Sequence, residues 1–129
     1  MISRRSLFPL ALLATAFAAP VFAQDKTPFT QAAFEAAQKA GKSILVDVSA
    51  PWCPTCKVQA PIISKLRKEA KYAGIVVFNV DFDSQKDVLK ALNASRQSTL
   101  IGFKGAKETR RSVGDTNPIN IEDLLETTL

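Results

Sequence analysis

The stretch that decides the fold is the run Ile44-Leu45-Val46-Asp47-Val48-Ser49-Ala50-Pro51-Trp52-Cys53-Pro54-Thr55-Cys56-Lys57. Its first half is almost continuously apolar, which is typical of a central strand covered on both faces. Its second half holds the only two cysteines of the chain, so their chemistry is most simply with each other. Pro54 suits the first turn of a helix, where free N–H groups and the positive end of the helix dipole favour a thiolate. The stretch therefore predicts a strand, a reversible dithiol/disulfide pair and a helix, in that order.

Residues 1–23 form a predicted export signal, and residues 24–129 form the predicted domain. Arg4 and Arg5 supply a positive start, Leu7–Phe22 is an uncharged apolar run, and a small alanine precedes the cleavage point. With about 16 residues, the apolar run is shorter than the roughly 20 needed to cross a bilayer. We therefore expect a cleaved signal and no stable membrane span afterwards, with an uncleaved N-terminal anchor as the alternative.

The signal predicts a periplasmic location, in an oxidising compartment. Two adjacent arginines occur both in ordinary signals and in twin-arginine signals, so the sequence leaves the Sec and twin-arginine routes open. The formal net charge of +5 includes both of these arginines, so the mature chain carries only a mild positive excess. Because no aromatic residue or motif accompanies the basic clusters, we expect no nucleic-acid binding.

The sequence predicts neither a cofactor nor a resident metal. It carries no nucleotide-binding or haem-attachment motif, so no organic cofactor is expected. It has no histidine and no third cysteine, and a zinc site within one chain would need carboxylate ligands, which structural zinc sites seldom use. A two-thiolate Cu(I) site, or a metal shared across a dimer, is the alternative that ligand count leaves open.

Apolar periodicity and turn residues predict the element order α, β, α, β, α, β, β, α, after a brief edge strand within residues 25–28. Strands that alternate with helices imply parallel pairing, and a hairpin of the last two strands adds an antiparallel edge. The predicted class is α/β, with a central mixed sheet flanked by helices. The cysteine pair then lies at the C-terminal end of a central strand, where α/β sheets usually place their sites.

The same pattern predicts how three of the helices begin and pack. Thr30 is a suitable N-cap, and Phe29 and Phe34 are spaced as a hydrophobic staple. Ser84 is the predicted cap of the helix after the second long strand. The helix after the cysteine pair has a predicted buried stripe at Val58, Ile62, Ile63, Leu66 and Ala70.

The chain resembles the thioredoxin family over nearly all of residues 24–129. The match centres on the strand, on the Trp-Cys-x-x-Cys-Lys motif at 52–57 and on the helix that follows. Pro61 stands where that family has its helix proline, and Gly114 where it has a glycine before the last helix. The resemblance implies a thioredoxin-like three-layer sandwich and a thiol–disulfide oxidoreductase that acts on protein dithiols and disulfides.

The resemblance also implies roles for individual residues. Cys53 is expected to be the exposed nucleophile that attacks a substrate disulfide, and Cys56 the more buried cysteine that resolves the mixed disulfide. Asp47 is expected to help move a proton to and from Cys56; because a carboxylate is costly to bury unpaired, the alternative is that it escapes to a polar rim. Trp52 is interpreted as a wall beside the reactive sulfur, and Lys57 as either a modulator of thiolate charge or a solvated lysine.

Two departures from the family pattern affect substrate binding and the buried aspartate. The family has a cis-proline before the strand that starts in this chain with Thr99, and Ser98 stands in its place. Because a cis bond before a non-proline residue costs about 3 kcal/mol, we expect a trans bond and an altered substrate-binding loop. The family's buried aspartate often has a lysine on the neighbouring strand, where this chain is predicted to have Val77, so we expect Asp47 to lack that partner.

The leading hypothesis is an exported thiol–disulfide oxidoreductase that exchanges a Cys53–Cys56 disulfide with protein dithiols. Pro54 and Thr55 between the cysteines place proline first, as in glutaredoxins, which indicates a less reducing couple than that of thioredoxins. From the small size of the domain we favour a reductant or general interchange protein, fed by a membrane or periplasmic redox partner, over a dedicated oxidant. The alternative is a Cu(I)-binding module or metallochaperone on the same fold.

Overall fold

The structure, a computed structural model, describes residues 26–129, so the predicted signal segment lies outside the described residues. Its elements in chain order are β1 (Thr27–Pro28), α1 (Gln31–Lys39), β2 (Ser43–Ser49), α2 (Pro54–Arg67), β3 (Val76–Asp81), α3 (Lys86–Ala91), β4 (Thr99–Lys104), β5 (Lys107–Val113) and α4 (Pro118–Glu126). This order confirms the predicted alternation, including the brief edge strand at the start.

The strands of the described chain form one mixed sheet in the order β1-β3-β2-β4-β5. The central strand β2 pairs in parallel with β3 and antiparallel with β4, so the expectation of parallel pairing is wrong for β4. A parallel β4 would require the chain to return along the whole sheet after β3, about 20 Å for a strand of this length. The segment between β3 and β4 does not make this return, and Thr99 at the start of β4 lies opposite Val48, near the end of β2.

The sheet is buried on both faces, which gives the predicted three-layer sandwich. Along β2, Ile44, Val46 and Val48 face one core and Leu45 faces the other. The first core packs against α1 and α3, and the second packs against α2 and α4. All four of these side chains are fully buried, as the apolar run predicts.

The predicted starts of α1 and α3 have different outcomes. At α1, the Thr30 hydroxyl accepts a hydrogen bond from a backbone N–H of the first turn at 3.2 Å, and the rings of Phe29 and Phe34 lie 5.1 Å apart, so both the cap and the staple are confirmed. At α3, the residue before the helix is Gln85, and the predicted Ser84 cap is wrong. The Gln85 side chain binds backbone groups of β3 and of the chain before α1, which fixes the entry to the helix without a side-chain cap.

The buried stripe of α2 is only partly as predicted. Ile63 and Leu66 are buried, but Val58 is 48% exposed and Ala70 lies beyond the end of the helix. The inward face of the helix begins at Cys56 and continues through Ile63 and Leu66. That face includes Gln59, a polar residue that a search for apolar periodicity passes over.

Candidate active site

The cysteine pair lies where β2 leads into α2, as predicted. Cys53 and Cys56 form a disulfide, with their Cα atoms 5.3 Å apart. Cys53 is the N-cap of α2, and its Sγ accepts a hydrogen bond from the backbone N–H of Cys56 at 3.1 Å. Pro54 opens the helix, and Thr55 is half-buried beside it. The sulfur of Cys53 therefore lies at the positive end of the helix dipole.

The exposure of the two cysteines differs from the prediction. Cys53 is fully buried and Cys56 is 8% exposed, so the expectation that Cys53 is the more exposed of the two is wrong in this oxidised form. The reason is local packing, because both cysteines pack with Ala50 and against the ring of Phe82. Exposure therefore does not distinguish the roles of the two cysteines in this state.

Trp52 is held near the disulfide by the loop that follows β3. Its ring is 53% exposed, its Nε1 donates a hydrogen bond to Asp83 Oδ2 at 2.9 Å, and it meets the ring of Phe82 edge to face at 6.1 Å. The Lys86 ammonium lies 3.9 Å from the centre of the Phe82 ring. A hydrogen bond from the Asp83 backbone N–H is the main cause that lowers the pKa of Asp81, whose carboxylate orders the start of this loop.

Asp47 is 2% exposed and is paired with a lysine, so its side chain does not escape to a polar rim. Its Oδ2 lies 2.5 Å from Nζ of Lys26, the residue just before β1. The sheet register places Asn79 opposite Asp47, and Val77 opposite Leu45. The neighbouring strand supplies no lysine, as expected, but its residue opposite Asp47 is Asn79 rather than Val77, and Lys26 at the edge of the sheet provides the cation instead.

An open pocket is bordered by both Lys26 and Cys56. Asn79 lines it and donates hydrogen bonds to Ser49 Oγ at 2.6 Å and to the backbone oxygen of the buried aspartate at 3.2 Å. Lys57 also lines this pocket and is exposed. Cys56 therefore borders a pocket with both polar and apolar walls, which include the cation of the aspartate's ion pair.

Residues 96–98, which we call the Ser98 loop, lead into β4. Ser98 is 5% exposed with a φ of 58°, and the described residues contain no cis peptide bond, so the expected trans bond is confirmed. Its N–H donates to the Val48 carbonyl at 2.8 Å, an oxygen that Sγ of Cys56 approaches at 4.0 Å. Thr99 is buried, and its hydroxyl donates to a carbonyl of the Ser98 loop at 2.7 Å.

Three residues that contact this site were not predicted from the sequence, namely Lys26, Asp83 and Gln59. The sequence does indicate that such partners are needed, because a buried carboxylate requires a cation and an indole N–H favours an acceptor. The chain offers several lysines and several acidic residues for these tasks, so need alone does not select among them.

Two further observations concern membranes and metals within residues 26–129. None of the helices there combines the length and the apolar character that a bilayer crossing requires. In the same residues, no three side chains of histidine, cysteine, aspartate or glutamate lie close enough together to hold a metal ion.

A mixed sheet between two helical layers, with a disulfide at the start of the helix after its central strand, defines the thioredoxin-like class of disulfide-exchange proteins. The Thioredoxin family model matches residues 25–127, and the chain belongs to the thioredoxin family. The protein is a thiol–disulfide oxidoreductase, and its disulfide is Cys53–Cys56.

Individual relatives agree with this assignment. Thioredoxin-2 of Saccharomyces cerevisiae is 37% identical over 84 residues, which cover 65% of this chain and 78% of the yeast protein. Thioredoxin-1 of the same yeast is 33% identical over 96 residues, or 74% of this chain and 90% of that protein. The crystal structure of Trxlp from Edwardsiella tarda EIB202 superposes with a TM-score of 0.75 at 42% identity, and covers 78% of this chain and 97% of that one.

Proposed function

We propose that this oxidoreductase is exported to the periplasm, where it exchanges its Cys53–Cys56 disulfide with protein dithiols as a reductant or general interchange protein. The observation that carries the exchange chemistry is the Cys53 sulfur at the N-cap of α2, hydrogen-bonded to the N–H of Cys56. Export is supported by the positive start and the apolar run within residues 1–23.

The first step is attack by the Cys53 thiolate of the reduced protein on one sulfur of a substrate disulfide. A bond forms between Cys53 and that sulfur, the substrate S–S bond breaks, and the other substrate sulfur leaves as a thiolate that takes up a proton. The start of α2 favours the attacking thiolate because its free N–H groups and dipole stabilise negative charge at this sulfur.

The second step resolves the mixed disulfide. The Cys56 thiol loses its proton and attacks the sulfur of Cys53, the Cys53–Cys56 bond forms, and the remaining substrate sulfur leaves and is protonated. The substrate gains two electrons and the protein loses them. We assign Asp47 to receive the proton from Cys56, through the pocket that Cys56 shares with Lys26. Lys26 offsets the cost of burying this carboxylate.

The remaining residues of the site have supporting roles in this proposal. The exposed ring of Trp52 offers apolar surface for a protein substrate next to the disulfide. The dipeptide between the cysteines, Pro54 and Thr55, and the nearby charge of Lys57 tune the stability of the thiolate. The Ser98 loop, together with Thr99, shapes the surface over which the substrate chain approaches.

A reductant in an oxidising compartment needs an electron supply, because each turnover leaves the protein oxidised. We therefore propose a membrane or periplasmic redox partner that reduces the Cys53–Cys56 disulfide again. In this proposal the partner reduces the disulfide by attack of its own thiolate on Cys53, the same sulfur that forms the mixed disulfide with the substrate.

The deciding experiment is the reduction potential of the Cys53–Cys56 couple, set against glutathione buffers with metals chelated. A value near about −270 mV or below supports a reductant, and a value near about −120 mV would make the protein an oxidant and contradict the proposed direction. Loss of any two-electron equilibrium, with thiols that titrate only after metal removal, would favour the Cu(I)-binding alternative instead.

Export is tested by expressing the full chain and determining the N-terminus of the protein recovered from the periplasm. We expect a periplasmic product that begins at Gln24, and a product confined to the cytoplasm would contradict the proposal. A variant with Arg4→Lys and Arg5→Lys separates the two routes, because a twin-arginine signal depends on its arginine pair and an ordinary signal needs only positive charge.

A further inference from the structure

A buried amide side chain joins α2 to the Ser98 loop. Gln59 is 1% exposed, and its Nε2 donates hydrogen bonds to the backbone oxygen of Ser98 at 3.2 Å and to that of Asp115 at 2.9 Å. One side chain on the disulfide-bearing helix therefore holds two separate loops, one before β4 and one after β5.

The orientation of this amide is fixed by its partners. Both partners are carbonyl oxygens, so the side of the amide that faces them has to be the NH₂ group, which has two hydrogens to donate. The other side, Oε1 of Gln59, has no hydrogen-bond partner among residues 26–129. An apolar side chain of similar size would avoid this unpaired buried oxygen, so the advantage of the glutamine lies in the two bonds it donates.

The amide acts close to the reactive sulfurs. Gln59 follows Cys56 by three residues and lies on the same buried face of α2. The Ser98 N–H and Sγ of Cys56 both approach the carbonyl of Val48, at 2.8 Å and 4.0 Å. The end of β2, the Ser98 loop and the first two turns of α2 thus meet around one carbonyl group.

The backbone of Ser98 needs this support. Its φ of 58° lies in the left-handed region, which is unfavourable for a residue with a side chain. Such a conformation persists only where the surroundings over-determine it. In this chain its N–H is held by Val48, and its oxygen accepts bonds from both Gly114 N–H at 3.0 Å and Gln59.

We propose that Gln59 is a positioning residue that fixes the Ser98 loop against α2 and so sets the path by which a protein substrate reaches the disulfide. The hydrogen bonds from the Gln59 amide hold the Ser98 loop rigid around its left-handed serine. This inference rests on the proposed exchange function, and it deepens that function by naming a residue that controls substrate approach without touching the sulfurs.

The test compares Gln59→Met, which keeps the size of the side chain but donates no hydrogen bond, with Gln31→Met, which makes the same change at an exposed position of α1. For insulin as the disulfide substrate, Gln59→Met should raise KM roughly tenfold while kcat and the reduction potential stay close to those of the parent. Gln31→Met should leave all three unchanged, because this side chain bonds Glu35 on the exposed face of α1, away from the disulfide.

Amide hydrogen exchange provides a second readout that does not depend on the direction of electron flow. Gln59→Met should speed exchange at the N–H groups of Ser98 and Gly114 about tenfold or more, while the amides of β2 keep their protection. An unchanged KM with unchanged exchange at these two groups would overturn the proposal. Equal loss of protection at Ser98, Gly114 and β2 would also overturn it, because the glutamine would then serve global stability alone.

Discussion

The two sides of the Cys53–Cys56 pair are built by different means. On one side lies a buried ion pair, Asp47 with Lys26, next to an open pocket that Cys56 also borders. On the other side lies the Ser98 loop, which is held by hydrogen bonds to backbone groups and by the neutral amide of Gln59. In the proposed mechanism the first arrangement moves a proton, and in the proposed inference the second fixes the shape of the loop that the substrate approaches.

The difference explains how the chain keeps both sides of the site intact although it departs from the family pattern in the lysine beside Asp47 and at Ser98. A charge can be balanced from any direction, because Coulomb attraction depends on distance rather than on the strand that supplies the cation. A loop conformation is tied to particular donors and acceptors, because hydrogen bonds require both distance and alignment. The lysine could therefore come from the sheet edge, whereas the serine needed specific partners on α2 and β2.

The largest effect is expected from substitution of either cysteine, because the disulfide that both sides of the site serve is then lost. Cys53→Ser should abolish reduction of insulin, because no thiolate remains at the start of α2. Cys56→Ser should instead stop after the first step and accumulate a mixed disulfide with the substrate. Mass spectrometry of the trapped adduct distinguishes the two variants. Equal trapping by both would contradict the assignment of Cys53 as the nucleophile.

The proton-moving side is broken by Asp47→Asn. We expect the resolving step to slow by about 10- to 100-fold at neutral pH, because an amide cannot accept the proton of Cys56. Stopped-flow measurement of mixed-disulfide decay isolates this step from the initial attack. If the decay rate matched that of the parent, the proton would be going elsewhere and the charged side would have no catalytic role.

The ion pair itself is tested by Lys26→Met. Removal of the ammonium leaves a buried carboxylate without its cation, and we expect a loss of about 1–3 kcal/mol in the free energy of unfolding, since the lysine is partly exposed. In the Asp47→Asn background the same substitution should cost much less. A double-mutant cycle by denaturant unfolding measures this coupling, and simple additivity of the two changes would argue that the pair contributes nothing.

The shape-fixing side is broken by Ser98→Pro. Proline cannot adopt the observed φ of 58°, and it removes the N–H that Ser98 donates to Val48. We expect a loss of roughly 2 kcal/mol or more in stability. Ser98→Gly keeps the backbone N–H and tolerates the left-handed conformation, so its stability should stay close to that of the parent. Thermal unfolding of both variants in the oxidised form provides the measurement. A proline variant as stable as the parent would show that the loop accepts a second conformation.

The smallest expected effect comes from a cluster remote from both sides, where buried Tyr72 donates to Glu122 at 2.9 Å or Glu126 at 2.7 Å. Tyr72→Phe should cost about 1 kcal/mol of stability and leave disulfide exchange unchanged. Burial is the main cause that raises the pKa of Tyr72 far above its usual value, so the phenol remains a donor at neutral pH.

The same cluster has a defined pH dependence. Hydrogen bonds from Lys71 and then from Tyr72 lower the pKa of Glu126. Because the folded state binds the proton more weakly than the unfolded state, the stabilisation is present at neutral pH and is lost as the pH falls through the lowered pKa. Unfolding curves between neutral and acidic pH should show a smaller decline for Glu126→Gln than for the parent, and parallel declines would contradict this account.

How well the sequence predicts each feature of the structure depends on how far apart along the chain the interacting residues lie. The central strand, the position of the disulfide and the three layers follow from local patterns, because apolar runs and helix caps act between near neighbours. Lys26 could not be found in this way, since its partner Asp47 is 21 residues away and meets it only once β1 and β3 have paired. Gln59 is not predicted by such patterns, because apolar periodicity identifies only apolar residues as buried. The burial of this amide depends on two carbonyl groups supplied by distant loops.

The position of Lys26 has a practical consequence for protein engineering. The cation that faces Asp47 immediately precedes β1, an edge strand of only two residues. A purification tag fused close to it, or a recombinant version trimmed past it, would alter the charge beside the buried carboxylate while leaving the Trp-Cys-x-x-Cys motif intact. Redox values for this protein are therefore comparable only between preparations that share the same residues around position 26.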